Sequence, residues 1–110
     1  MEERERRIGM NEALFREVNE RLQELAEGFV RTPEKLDLIC ECGNGSCASR
    51  IEMDREEYEQ VRSDSTTFAI AKGHAIPDVE EIVERRKAYD VVRKTGGEAE
   101  EIAEKTDPRT

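Results

Sequence analysis

The sequence predicts an α+β fold, a long N-terminal helix followed by a small antiparallel sheet, and three observations carry that prediction. Residues 2–28 repeat apolar side chains at helical spacing. Beyond residue 35 the apolar residues fall instead into short, β-branched runs separated by clusters of Gly, Asn, Ser and Asp. All three cysteines lie in one short stretch between two of those runs.

The helix comes first. Ile8, Asn11, Phe15, Val18, Leu22, Leu25 and Phe29 form a heptad-like seam, with Glu and Arg on the other faces. The pairs Glu12–Arg16 and Glu17–Arg21 stand at i,i+4 and support it. Gly28 and then Thr32-Pro33 are expected to end it. Such a helix either lies on its own domain or joins another chain, and Asn11 on the seam is the kind of polar residue that fixes register between helices.

Leu36-Asp37-Leu38-Ile39-Cys40 alternates as a strand, and Gly43-Asn44-Gly45-Ser46 is expected to turn through residues that tolerate positive φ. Residues 49–53 read as the return strand. Asp54 with Glu57 starts a short helix whose inner face is Tyr58 and Val61, stopped by Ser63-Asp64-Ser65. Residues 66–71 read as a strand ended by Gly73. The stretch 78–95 reads as a hairpin turning at Lys87-Ala88, with Val83 opposite Val92, Glu81 opposite Lys94 and Arg85 opposite Asp90. A helix begun by Asp78 and Glu81 is the competing reading, and Arg86-Lys87-Ala88 lacks the Asn, Asp or Gly of a favoured hairpin tip. Gly96-Gly97 leads into an acidic helix with Ala99, Ile102 and Ala103 inward, and residues 106–110 are expected to be a loose tail. The chain thus divides into an N-terminal amphipathic helix (1–30), an α+β core (31–97) and a short acidic helix with its tail (98–110).

Composition limits the function classes. Charged residues make up 41% of the 110, against roughly 25% in an average soluble protein. Leu, Ile, Val and Phe together number only 22, a core thin enough to call for a metal, a partner chain or both. The net charge of −9 is spread evenly, −3 in each of 1–28, 29–95 and 96–110, so no segment offers the basic field that nucleic acid or anionic lipid requires. The longest apolar run, Phe68-Ala69-Ile70-Ala71, is far short of the roughly 20 residues of a membrane span. Glu2 and Glu3 open the chain without an apolar stretch behind them, so no secretory signal is expected and a cytoplasmic location is. Thiols there stay reduced rather than pairing.

The chemistry is concentrated in Cys40-x-Cys42-x4-Cys47, which runs from a strand end into a glycine-rich turn where thiolates can converge. The single histidine, His74, follows Gly73 at another strand end and completes a Cys3His set, a standard structural zinc site whose closed tetrahedron leaves no position for chemistry. Asp37, Glu41 or Asp78 could supply an oxygen ligand in its place. The alternatives are buried free cysteines and a thiol redox sensor using the same sulfurs, although Glu41 between two of them disfavours additional thiolates. Gly43-Asn44-Gly45-Ser46-Cys47-Ala48 matches G-x-G-x-x-A, but a dinucleotide fingerprint must open a helix in a long α/β unit, and a strand follows here. A Cys47/His74 nucleophile pair lacks an orienting third residue, so no enzyme is expected.

Together with Glu56-Glu57-Tyr58-Glu59-x-Val61-Arg62, Gly73-His74, Tyr89-x-Val91-Val92 and Thr106-Asp107-Pro108-Arg109, the cysteine pattern resembles a family of small uncharacterised bacterial proteins, mostly actinobacterial. The resemblance implies a small soluble zinc-binding-like protein and implies no activity, substrate or partner. The resulting expectation is a regulatory or adaptor module with structural Zn2+ on Cys40, Cys42, Cys47 and His74, meeting a protein partner or a second copy through its N-terminal helix. A transcription-linked binder using Arg85, Arg86, Lys87, Arg93 and Lys94 is the remaining alternative. Those bases are expected to be a solvated hairpin tip paired with Glu81 and Asp90.

Overall fold

A computed structural model describes residues 2–27 and 35–109. The elements are α1 (Glu2–Glu27), β1 (Lys35–Ile39), β2 (Arg50–Asp54), α2 (Arg55–Arg62), β3 (Thr67–Ile70), β4 (Glu80–Arg85), β5 (Asp90–Lys94) and α3 (Gly97–Lys105). The fold is α+β, as the sequence predicts. The antiparallel strands divide into two sheets, β1-β2 and β3-β5-β4. Gly28, Thr32-Pro33 and the seam position Phe29 lie outside the described residues.

In the first sheet Leu36 pairs with Met53 and Leu38 with Ile51, all four buried, while Asp37 and Glu52 face out between them. Asp54 then caps α2, its backbone N–H donating to the Glu57 carboxylate at 3.0 Å. This short helix buries Tyr58, Val61 and Arg62. The hairpin reading of 78–95 holds, and Arg85 does stand opposite Asp90. The other two expected pairs are each displaced by one residue: Ile82 faces Val92 and Glu80 faces Lys94. An irregularity between Ile82 and Glu84 takes Val83 out of register and leaves it exposed, as a bulge does. Its consequence is large, because it turns Glu80 rather than Glu81 toward Lys94 in the interior.

The N-terminal helix departs most from expectation. It packs along α3 and β1 of its own chain, but only part of the predicted seam faces inward: Ile8 is buried, Leu22 packs on the core and Asn11 bonds the Gly43 carbonyl. Val18 and Leu25 are exposed, and Phe15 and Leu22 only half-buried. The buried stripe is Ile8, Glu12, Arg16, Asn19, Gln23 and Ala26, with Glu20 beside it. This stripe is polar because the core presents partners to it. Arg16 donates to the carbonyls of Ser65 at 2.6 Å and Ala103 at 2.7 Å, its guanidinium 4.6 Å from the Phe68 ring centre. Lys94 donates to Glu12 and to Glu80, each at 2.5 Å, with all three side chains fully buried. Burial pushes the Glu12 carboxyl up to about 9, against the opposing pull of Lys94, and its Oε1 has no hydrogen-bond partner. Polar groups with partners in place are buried at far less cost than unpaired ones.

The last residues also differ from the loose tail expected. Arg109 donates to Glu20 at 2.5 Å and to Glu59 at 2.7 and 2.9 Å, tying the chain end to α1 and α2. Among the described residues no helix is long and apolar enough to cross a membrane.

Candidate metal centre

The segment after β1 links the two sheets. Cys40 donates its backbone N–H to Ser49 at 2.9 Å, on the β2 side, and Glu41 donates to Ala69 of β3 at 2.9 Å. The chain then turns: Cys47 donates to the Asn44 carbonyl at 3.0 Å, and Ser46 to the Asn44 side chain at 3.0 Å. The turn glycines are needed for space rather than for positive φ, which neither adopts. A Cβ on Gly43 would stand 2.5 Å from Ile8 Cγ2 and 3.0 Å from Ile76 Cδ1. Asn11 grips the same turn, its Nδ2 donating to the Gly43 carbonyl at 2.8 Å. Asn11 thus serves its own domain, a use that the register-setting expectation did not include.

A second turn supplies the histidine. His74 donates its backbone N–H to Ala71 at 3.1 Å, and Gly73 between them has φ of +83°, where a side chain would be strained. The side chains of Cys40, Cys42, Cys47 and His74 converge, with one donor atom from each and all four within 4.8 Å of one another. His74 Nδ1 lies 3.5 Å from Cys40 Sγ and 3.6 Å from Cys47 Sγ. Cys40 and Cys42 belong to the core around Phe68, Ile70 and Val92, whereas Cys47 and His74 are half-buried at the edge. The Ala71 N–H donates to Cys40 Sγ at 3.1 Å and steadies that sulfur from behind. All three cysteines are free thiols.

The electrostatics suit a metal-binding cluster. The Cys40–Cys42 hydrogen bond, aided by burial, raises the Cys40 thiol and holds it protonated. The same bond, with the Asn44 N–H and His74 contributing, lowers Cys42 against the opposing effect of burial. Glu41, expected to oppose that, is turned elsewhere. It accepts from Asn19 Nδ2 at 2.6 Å and from the Ala69 N–H at 3.0 Å. The other oxygen candidates are also engaged away from the sulfurs, Asp37 with Arg50 and Asp78 with Arg4. The donor set is compatible with a metal site.

The proposed basic patch is dispersed. Lys94 is interior, Arg86 pairs with Glu84 and Glu57, and Arg93 pairs with Asp64. Asp90 faces Arg85 in register, but its carboxylate pairs with Lys72 at 2.6 Å. Sequence reasoning missed Asn19 and Ala71, and it gave Asn11 and Glu41 roles other than the supporting bonds that they make. An asparagine on a helix and an isolated Glu beside cysteines carry no local signal of what they bond to. Comparison with known protein families, with curated proteins and with solved structures finds no match.

Proposed function

We propose that Cys40, Cys42, Cys47 and His74 hold one structural Zn2+, and that the protein is a small cytoplasmic regulatory or adaptor module rather than an enzyme. The pair of His74 Nδ1 distances, 3.5 and 3.6 Å to two sulfurs, carries the metal reading. A tetrahedral zinc with Zn–S near 2.3 Å and Zn–N near 2.05 Å requires an S···N edge of about 3.6 Å. Four protein donors close the coordination sphere and leave no position for substrate or activated water. Three free thiols also fit a reducing compartment. Such an ion would join the knuckle after β1 to the turn after β3, and so the two sheets to each other. Binding another protein fits the same reading: the closed donor set has no reaction to perform, and α1 has apolar side chains in solvent.

Cobalt substitution tests the centre. Reduced protein titrated with Co2+ should develop the intense visible bands of a tetrahedral thiolate site at one equivalent, and Zn2+ should displace them. His74→Ala should change the spectrum and Cys42→Ser should abolish it. A weak, octahedral-type spectrum unaffected by Cys42→Ser would overturn the assignment.

A further inference from the structure

The outward face of α1 is apolar along a line that no described residue covers. Met10, Leu14, Val18 and Leu25 are 54%, 59%, 37% and 67% exposed, and among the described residues the fifth large exposed apolar side chain is Val83. At 100° per residue, positions 10, 14, 18, 21 and 25 form one stripe, with the Arg21 stem filling the gap between Val18 and Leu25. The inner face is occupied by Glu12, Arg16 and Asn19, so α1 can offer a partner only this stripe. Its 26 residues span about 39 Å, most of the molecule's 46 Å longest extent. The stripe is exposed at both ends and in the middle, from Met10 to Leu25.

We propose that this stripe pairs antiparallel with the same stripe of a second copy, about a two-fold axis near residue 16. The charges select the occupant and its direction. Exposed Arg7 lies on the stripe toward its N-terminal end, while Glu24 flanks it toward the C-terminal end. A parallel pair would stack Arg7 on Arg7 and Arg21 on Arg21. The antiparallel pair sets Leu14 against Val18 of the second copy, lays Met10 on the Arg21 stem and brings Arg7 to Glu24. An isologous two-fold makes each contact twice, so a modest patch acts with doubled effect. Glu24 is not lost to its present bond, because Arg21, its partner at 2.9 Å, also holds Glu17 at 2.9 Å.

The inference goes beyond the metal reading and does not rest on it, since no residue of the stripe is among the four candidate donors. Sedimentation equilibrium of the full chain, reduced and with its metal content measured, tests it at about 0.15 M salt. The expected result is a reversible monomer–dimer equilibrium. Leu14→Glu should give monomer throughout the concentration range. Arg7→Glu and Glu24→Arg should each weaken the dimer about tenfold, near 1.4 kcal/mol, and the double variant R7E/E24R should recover most of the loss. That recovery distinguishes antiparallel self-pairing from any other use of the stripe. Wild-type protein that is monomeric at every concentration, or a double variant no better than its parents, would overturn the proposal. A dimer without zinc would leave it intact while sinking the metal assignment.

Discussion

Two regions hold this small fold together, and they use charge in opposite ways. At the knuckle, Cys40, Cys42, Cys47 and His74 gather donor atoms that could hold a cation. Under α1, the cation is already in the chain: Lys94 lies between Glu12 and Glu80, all three out of solvent. On the proposed zinc reading the knuckle takes its partner from solution, and its integrity would depend on metal supply and pH. The α1 interface contains its partners and depends on packing. The difference explains how a chain with so few large apolar residues can fill an interior: two of the core positions around Phe68 are metal-ligand candidates, and much of the α1 contact is made by paired polar groups.

If the knuckle holds zinc as proposed, the sharpest way to break the comparison is to remove it. Structural zinc contributes roughly 10–16 kcal/mol of apparent binding free energy in finger peptides, as much as the roughly 5–15 kcal/mol net stability of a whole domain. Cys47→Ser, or chelation of the native protein, should therefore abolish cooperative unfolding, read by circular dichroism against denaturant. Breaking the buried trio should be next in size. Lys94→Met leaves Glu80 without its cation and should lower stability by about 3–5 kcal/mol while zinc content stays at one per chain. Glu12→Gln should cost far less, within about 1 kcal/mol, because Glu12 is already held neutral at pH 7 by a carboxyl raised to about 9.

The two regions should also respond to pH with opposite sign. The folded Glu12 carboxyl titrates near 9, against an ordinary 4.5, so between those values the native state binds more protons than the unfolded chain. Its contribution is fully present below about 4.5 and is lost as pH rises through 9. Zinc held by thiolates weakens in the other direction, as acid protonates the sulfurs. Unfolding of the zinc-loaded protein from pH 6 to 9 should show a downward alkaline slope that Glu12→Gln flattens. An unchanged slope in that variant would place the titration elsewhere.

Smaller effects probe how tightly the regions are joined. Gly43→Ala forces a methyl to 2.5 Å from Ile8 Cγ2, where the knuckle meets α1, and overpacking of this kind costs roughly 1–3 kcal/mol. Thermal unfolding should register it as a lower Tm. Arg109→Ala removes the bonds to Glu20 and Glu59 at a partly exposed site, and about 1 kcal/mol is expected in the same assay.

The knuckle was legible in the sequence for a physical reason. Thiols have few roles, so three cysteines in a short glycine-bearing stretch restrict the chemistry, and the single histidine restricts it further. Strand alternation at Leu36–Leu38 and Ile51–Met53 was legible because a half-buried antiparallel strand must alternate. The polar face of α1 was not. Periodicity analysis assigns burial to apolar residues, so it favoured Val18 and Leu25 over Glu12, Arg16 and Asn19, whose partners lie 82, 87 and 20 residues away. The bulge at Val83 was hidden for a similar reason: it goes with the buried contact between Glu80 and Lys94, and local pairing preferences do not contain that information.

Native mass spectrometry of the purified, reduced protein, paired with a denaturation curve before and after chelation, tests the central claim most directly. One zinc per chain, bound by wild type and lost in Cys47→Ser, with the cooperative transition disappearing on chelation, is the predicted result. A metal-free chain that unfolds cooperatively at pH 7 would contradict the account.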